Sequence, residues 1–195
     1  MTIRIRNLVI IAAAIGCALA LMLVPDTARA APNEDQHITV TARVFDRDGR
    51  DIGYVALSET RRGVMVQADV QGLAPGKHAF HFHETGSCQT PGFTSAGGHF
   101  APDGAAHGYL TAGGEHAGDM PNQIVSGNGE MLVSLHNDDV RLRRGPTPLI
   151  DADGSALVIH AGIDDYESQP SGAAGQRVAC AEIGRGLLTD LTGSM

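Results

Sequence analysis

"HAFHFHETGSC", from His78 to Cys88, sets three histidines within six residues of a stretch in which aromatic and imidazole side chains alternate. Successive side chains of a β-strand point to opposite faces, so Phe80 and Phe82 share one face and His81 and His83 the other. The phenylalanines suit the core face. His78 falls on their side and is expected to be a hydrogen-bonded histidine at the strand end. His81 and His83 stand about 7 Å apart at Cα by strand rise, close enough for two imidazoles to meet on one metal ion, although H-x-H pairs also occur on many protein surfaces.

Reading this stretch as strand decides the fold, because the same alternation runs along the chain with no 3.6-residue period. "HITVTARVF" (37–45), "IGYVALSE" (52–59), "GVMVQADV" (63–70), "HAFHFHE" (78–84), "NQIVS" (122–126), "EMLVSLH" (130–136), "ALVIHA" (156–161) and "RVACAEI" (177–183) each read as a short strand. "DRDGRD", "GLAPGK", "SGNGE" and "DADGS" read as turns between them. Eight strands so spaced predict an all-β fold, an eight-stranded antiparallel Greek-key barrel or sandwich. Two long stretches break the rhythm, Thr85–Pro121 and Gly162–Gln176, and loops of that length in one domain usually carry function.

The chain has 195 residues, 43% of them hydrophobic and 4% aromatic, with 25 glycines and no Trp. That suffices for one core and not comfortably for two. A formal charge of −8, with Lys77 the only lysine, excludes a nucleic-acid partner, which requires clustered basic side chains. The pairs and triplets that exist, Arg61-Arg62 and Arg141/Arg143/Arg144, read as solvated loop charges.

Residues 1–30 read as a signal peptide: Arg4 and Arg6 precede an apolar run from Leu8 to Val24, followed by Pro25 and the small-x-small Ala28-Arg29-Ala30. Residues 31–195 then form the exported domain, directed to the periplasm, cell envelope or exterior. Losing three Arg and one Asp with the leader takes the charge from −8 to −10. A membrane tether would follow only if the leader is not cleaved or Cys17, in the poor lipobox "AIGC", is lipidated. Of three cysteines the exported part keeps two, so a Cys88–Cys180 disulfide is expected in an oxidising compartment.

The chemistry lies in "SAGGHFAPDGAAHGYLTAGGEHAGDMPN" (95–122), where His99, His107, His116 and Asp119 follow one another. Three imidazoles and a carboxylate from one loop form a closed four-ligand set, the stoichiometry of structural zinc. His160 in "ALVIHAG" then takes the histidines beyond what one tetrahedral ion needs, which implies two metals.

At this point the sequence resembles the copper,zinc superoxide dismutase family in its bacterial exported form. The likeness spans His37 to Ile183 and rests on H-F-H, G-x-C, G-G-H-F, H-x8-H-x2-D-x-P-N, V-I-H-A-G-x-D-D-Y and G-x-R-x-A-C in that order. The resemblance implies one copper ion on His81, His83, His99 and His160 and one zinc ion on His99, His107, His116 and Asp119, with His99 shared. It makes Asp164 the carboxylate linking His81 to His107, and Arg177 the cation that draws the substrate, superoxide, toward copper. It implies dismutation through Cu(II)/Cu(I) cycling, with His99 leaving copper to take a proton, and products O2 and hydrogen peroxide. A non-catalytic carrier or copper-delivery protein on the same barrel is the alternative. Oligomeric state, a homodimer included, does not carry over, because Cys88–Gly98 is shorter than the disulfide-loop insertions of some bacterial members. The tail after Ile183 has no counterpart in the family. "AGIDDYESQPSGAAGQ" (161–176) holds three acids and no base, so Arg177 and the metals are left to attract the anion unless a side chain such as Lys77 reaches the channel.

Overall fold

The computed structural model describes residues 38–184; residues 1–30, read above as a signal peptide with Cys17, and the tail beyond Gly184 lie outside the described residues. Eight strands form: β1 (Thr39–Asp46), β2 (Asp51–Glu59), β3 (Val64–Val70), β4 (Gly76–His83), β5 (Asp119–Val125), β6 (Met131–Asn137), β7 (Ser155–His160) and β8 (Arg177–Ile183). One short 3-10 turn, Thr94–Ala96, is the helical element among the described residues. All pairings are antiparallel, in the order β5-β4-β7-β8-β1-β2-β3-β6. β1, β2 and β3 are a meander, whereas β3 to β4 and β6 to β7 cross between non-neighbours, the connections of a Greek key. The terminal strands β5 and β6 are joined by a turn closed by Ser126 N–H donating to Glu130 O (2.8 Å), so the sheet curls into a nearly closed barrel.

The core is aliphatic because the alternation is: Val44, Val55, Leu57, Val66, Leu157 and Ile159 point inward with Phe80 and Phe82, all essentially inaccessible. The other face of β4 is not wet, however. His78 to His83 are buried without a break, and all six residues of β7 are buried. The loops between β4 and β5 and between β7 and β8 cover this side of the wall. A second, smaller apolar cluster forms beneath them from Phe93, Ala96, Ala156, Val158 and Cys180.

Register irregularities re-aim particular side chains. β7 pairs with β8 through Ile159↔Ala179 and then His160↔Arg177, leaving Val178 as the extra residue; a bulge of this kind bends its strand and redirects its neighbours. A second shift lies between His78 and Phe80 on β4, opposite Pro121 of β5, where proline offers no N–H to the ladder.

Cys88 and Cys180 are bonded across a sequence separation of 92, fastening the 84–118 loop to β8. A closed loop of that size restricts the unfolded chain by about 4–5 kcal/mol on the entropic model. Cys88→Ser should therefore lower the unfolding temperature by 10 °C or so, and mass spectrometry of native protein should detect no free thiol. Two free thiols in the native state would contradict the pairing.

Candidate metal centre

Four segments meet outside the barrel wall. β4 supplies His81 and His83, the end of β7 supplies His160, and the 84–118 loop supplies His99, His107 and His116. Asp119 opens β5 directly opposite His81, so the sheet register itself fixes a carboxylate beside that imidazole. His99 is pulled alongside β4 by an isolated bridge to His83. The result is two buried sets sharing one residue: His81, His83, His99 and His160, and His99, His107, His116 and Asp119, with the ligand atoms of each within 4.8 Å of one another. The ring centroids of His81 and His99 lie 4.1 Å apart, and those of His99 and His107 5.1 Å apart.

His81, His83, His107 and His160 each have one ring nitrogen facing an acceptor outside the two sets and the other turned inward. His81 Nε2 donates to Asp164 Oδ2 (2.8 Å) and His107 Nε2 to Asp164 Oδ1 (2.9 Å). His83 Nδ1 donates to Gly97 O (3.0 Å), and His160 Nδ1 faces Gly175 O at 3.4 Å. The inward nitrogens His81 Nδ1, His99 Nε2, His107 Nδ1 and His116 Nδ1 are buried and have no hydrogen-bond partner. Buried ring nitrogens without a partner are expensive, and a metal ion satisfies them. Their spacing fits as well. Ligands on a tetrahedral ion with bonds near 2.0–2.1 Å stand about 3.3 Å apart. Here His116 Nδ1 lies 3.4 Å from Asp119 Oδ1 and His83 Nε2 3.4 Å from His160 Nε2. His107 Nδ1 is 2.9 Å from Asp119 Oδ2 but off the direction of a hydrogen bond, as two ligands of one ion would be.

Burial, followed by the surrounding imidazoles, lowers His99 to about 4 and His160 to about 3, and takes His83 well below its ordinary value. Ligands must be neutral to bind, so these rings are ready at neutral pH. Burial opposes ionisation of Asp119 and Asp164, yet hydrogen bonds from the histidines outweigh it and hold both carboxyls well below the usual range. His107, which burial alone would lower, is held up at about 9 by those two carboxylates.

His78 stands apart from both sets. Its ring nitrogens lie 2.6 Å from His160 O and 2.7 Å from Ala74 O, so it braces the end of β7 from the phenylalanine side. Arg177 donates to Phe93 O and Gly97 O, both at 2.6 Å, which pins its guanidinium beside the carbonyl that holds His83. Two supports lay beyond the sequence reading. Asn122 exchanges bonds with the backbone of Asp164 (Asp164 N–H to Asn122 Oδ1, 2.8 Å; Asn122 Nδ2 to Asp164 O, 2.9 Å) and donates to Tyr166 Oη. Gly172, at φ +66°, leaves room for Asp164: a Cβ there would come 1.8 Å from Asp164 Oδ1 and 2.6 Å from His107 Nε2. The P-N and D-D-Y of the motifs were the signal for the first; nothing in "PSGAAG" marked one glycine above the other.

The chain belongs to the copper/zinc superoxide dismutase family, whose model (copper/zinc superoxide dismutase, SODC) matches residues 52–183. It is 44% identical over 150 residues to superoxide dismutase [Cu-Zn] 2 of Aquifex aeolicus, covering 76% of this chain and 88% of that one. It is 42% identical to superoxide dismutase [Cu-Zn] of Caulobacter vibrioides, over 74% and 85% of the two chains. Among solved structures, a SOD-like protein from Bacillus subtilis superposes with a TM-score of 0.71 at 35% identity, over 73% of this chain and 97% of that one.

Two outcomes follow from the geometry. Gly172→Ala should displace Asp164 and lower the affinity for both metals by 10-fold or more, the usual cost of losing a ligand's support; metal titration checks it. In metal-free protein, His83, His99 and His160 are neutral when folded but titrate near 6.5 when unfolded, so stability should fall as pH drops from about 6.5 toward about 4. His107 stays charged when folded, and below about pH 5.5, where the unfolded ring is charged too, it adds nothing to the slope. The loss should reach a few kcal/mol in denaturant titrations of the metal-free protein, and a flat profile would contradict the assignment.

Proposed function

We propose that this chain is an exported superoxide dismutase holding one copper ion on His81, His83, His99 and His160 and one zinc ion on His99, His107, His116 and Asp119. The observation that carries the reading is the shared residue: His99 belongs to both sets, with its Nε2 orphaned toward one and its Nδ1 turned toward the other. Copper, when bound, would supply the one-electron reduction and oxidation by which two superoxide anions and two protons, one by way of His99 and one from water, become O2 and hydrogen peroxide. The protein's own work is positional. Asp164 fixes the tautomers of His81 and His107, and the bulge at Val178 sets His160 beside Arg177. Arg177 holds a positive charge against the loop carbonyls, where an incoming anion meets it. His99 Nε2 is the atom placed to take a proton and return it to the product, and His99 Nδ1, turned toward Asp119 Oδ1, is the nitrogen that would hold zinc.

The carrier reading requires no anion-attracting arginine beside the copper set and no residue shared between the metals, and this chain has both. We also propose that residues 1–30 are removed on export, which agrees with a bonded Cys88–Cys180 pair. The mass of protein recovered from the envelope or medium distinguishes release from a tether through an uncleaved leader or a lipidated Cys17.

Purified protein should contain one copper and one zinc per chain and dismute superoxide. His99→Ala should weaken both sites and reduce turnover at least 100-fold, whereas His78→Ala should keep copper and cost mainly stability. Copper loss from the His78 variant, with the His99 variant intact, would reverse the ligand assignment.

A further inference from the structure

The mouth of the copper site is poor in positive charge. The covering loop 161–176 carries Asp164, Asp165 and Glu167 and no base, and Glu84 accepts a bond from Gly98 N–H (2.9 Å), next to the carbonyl that holds Arg177. Lys77 does not reach over the site as a loop residue would. It lies exposed in β4, paired with Ile124.

A different cation arrives from the β1–β2 hairpin. Asp46 pairs with Ala179, so the turn that follows runs past the start of β8. From it Arg47 donates through Nε to Pro91 O (3.0 Å) and through Nη1 to Gln176 Oε1 (2.7 Å). Gln176 precedes Arg177, and Pro91 lies two residues before Phe93, whose carbonyl Arg177 grips. Two guanidinium groups are thus clamped onto one short segment of the disulfide loop. Both acceptors of Arg47 are neutral. The neighbouring acids Asp46 and Asp48 are met by Arg50, at 3.5 and 2.5 Å, and Arg47 forms no ion pair among the described residues. An exposed arginine held by neutral oxygens keeps its full charge in a fixed place.

We propose that Arg47 is a second anion-steering residue of the copper site, a fixed charge brought in by the β1–β2 hairpin where the 161–176 loop offers none. The inference rests on the dismutase reading. A unit charge some 10 Å from the path of a monovalent anion changes its local concentration about twofold in water, more beside low-dielectric walls. Salt removes the effect once the screening length falls below that distance.

The test uses copper- and zinc-loaded protein and two readouts, the second-order rate with superoxide and the dissociation constant of azide from the copper spectrum. At about 10 mM ionic strength, Arg47→Gln should slow the reaction roughly twofold and Arg47→Glu roughly fourfold, with azide affinity falling by the same factors and Arg47→Lys recovering most of both. The differences should vanish near 0.5 M salt. Arg61→Gln, with the same change in net charge beyond the opposite end of β2, should leave both readouts unchanged. Equal behaviour of the Arg47→Gln and Arg61→Gln proteins would overturn the proposal. So would a loss that salt does not remove and that comes with an altered azide-free copper spectrum, since Arg47 would then be only a clip. Loaded protein that binds azide with the Arg47 dependence but does not consume superoxide would sink the dismutase reading and leave the anion-steering role standing.

Discussion

One carboxylate organises the centre. Asp164 is buried between two imidazoles from different segments, accepting from His81 of β4 and from His107 of the covering loop. Burying an anion costs several kcal/mol unless charge-assisted bonds surround it, and here Tyr166 N–H adds a third donor to Oδ1 (2.7 Å). Once both Nε2 atoms donate to Asp164, Nδ1 is the atom each ring has left for a metal, in His107 after its second proton is given up. The ring orientations on the two sides of His99 are therefore set together, by one side chain. Without Asp164, two buried imidazoles would lose their acceptor and could rotate or change tautomer, and each metal set would lose a ligand direction.

The barrel's part is to keep that arrangement from relaxing. His81 and Asp119 face each other across a strand pair, His160 ends a strand buried on both faces, and the bulge at Val178 decides which way His160 and Arg177 point. The loop ligands are less constrained by backbone pairing, and they are the ones fastened by other means: the disulfide, the His83–His99 bridge and the Phe93 cluster. Rigid elements thus carry most of the first set, His81, His83, His99 and His160, and a stapled loop carries most of the second, His99, His107, His116 and Asp119.

Much of this was legible because period-two alternation and metal-ligand chemistry both leave local marks. All eight strands form where the alternation lies, with ends shifted by a few residues at most. β5 begins at Asp119 rather than Asn122 because its ladder partner is the ligand-bearing end of β4. The residues named from the histidine spacing and the family likeness come together in two buried groups. What the sequence could not convey depends on contacts between distant segments. His81 and His83, read as pointing away from the core, are as buried as the phenylalanines because two loops fold over them. Phe93 is a loop residue at φ +53° that nonetheless lies fully buried. Nothing in the turn "DRDGRD" marked Arg47, which the folded hairpin brings against Gln176.

The central claim is that two ions share His99. Cobalt(II) placed in the zinc set and copper(II) in the other offers the most direct measurement, because two paramagnetic ions bridged by one imidazole ring couple magnetically. The account predicts that the copper electron paramagnetic resonance signal is lost when cobalt binds and returns when zinc replaces it. A full copper signal with both sites loaded would show that no common ligand joins them.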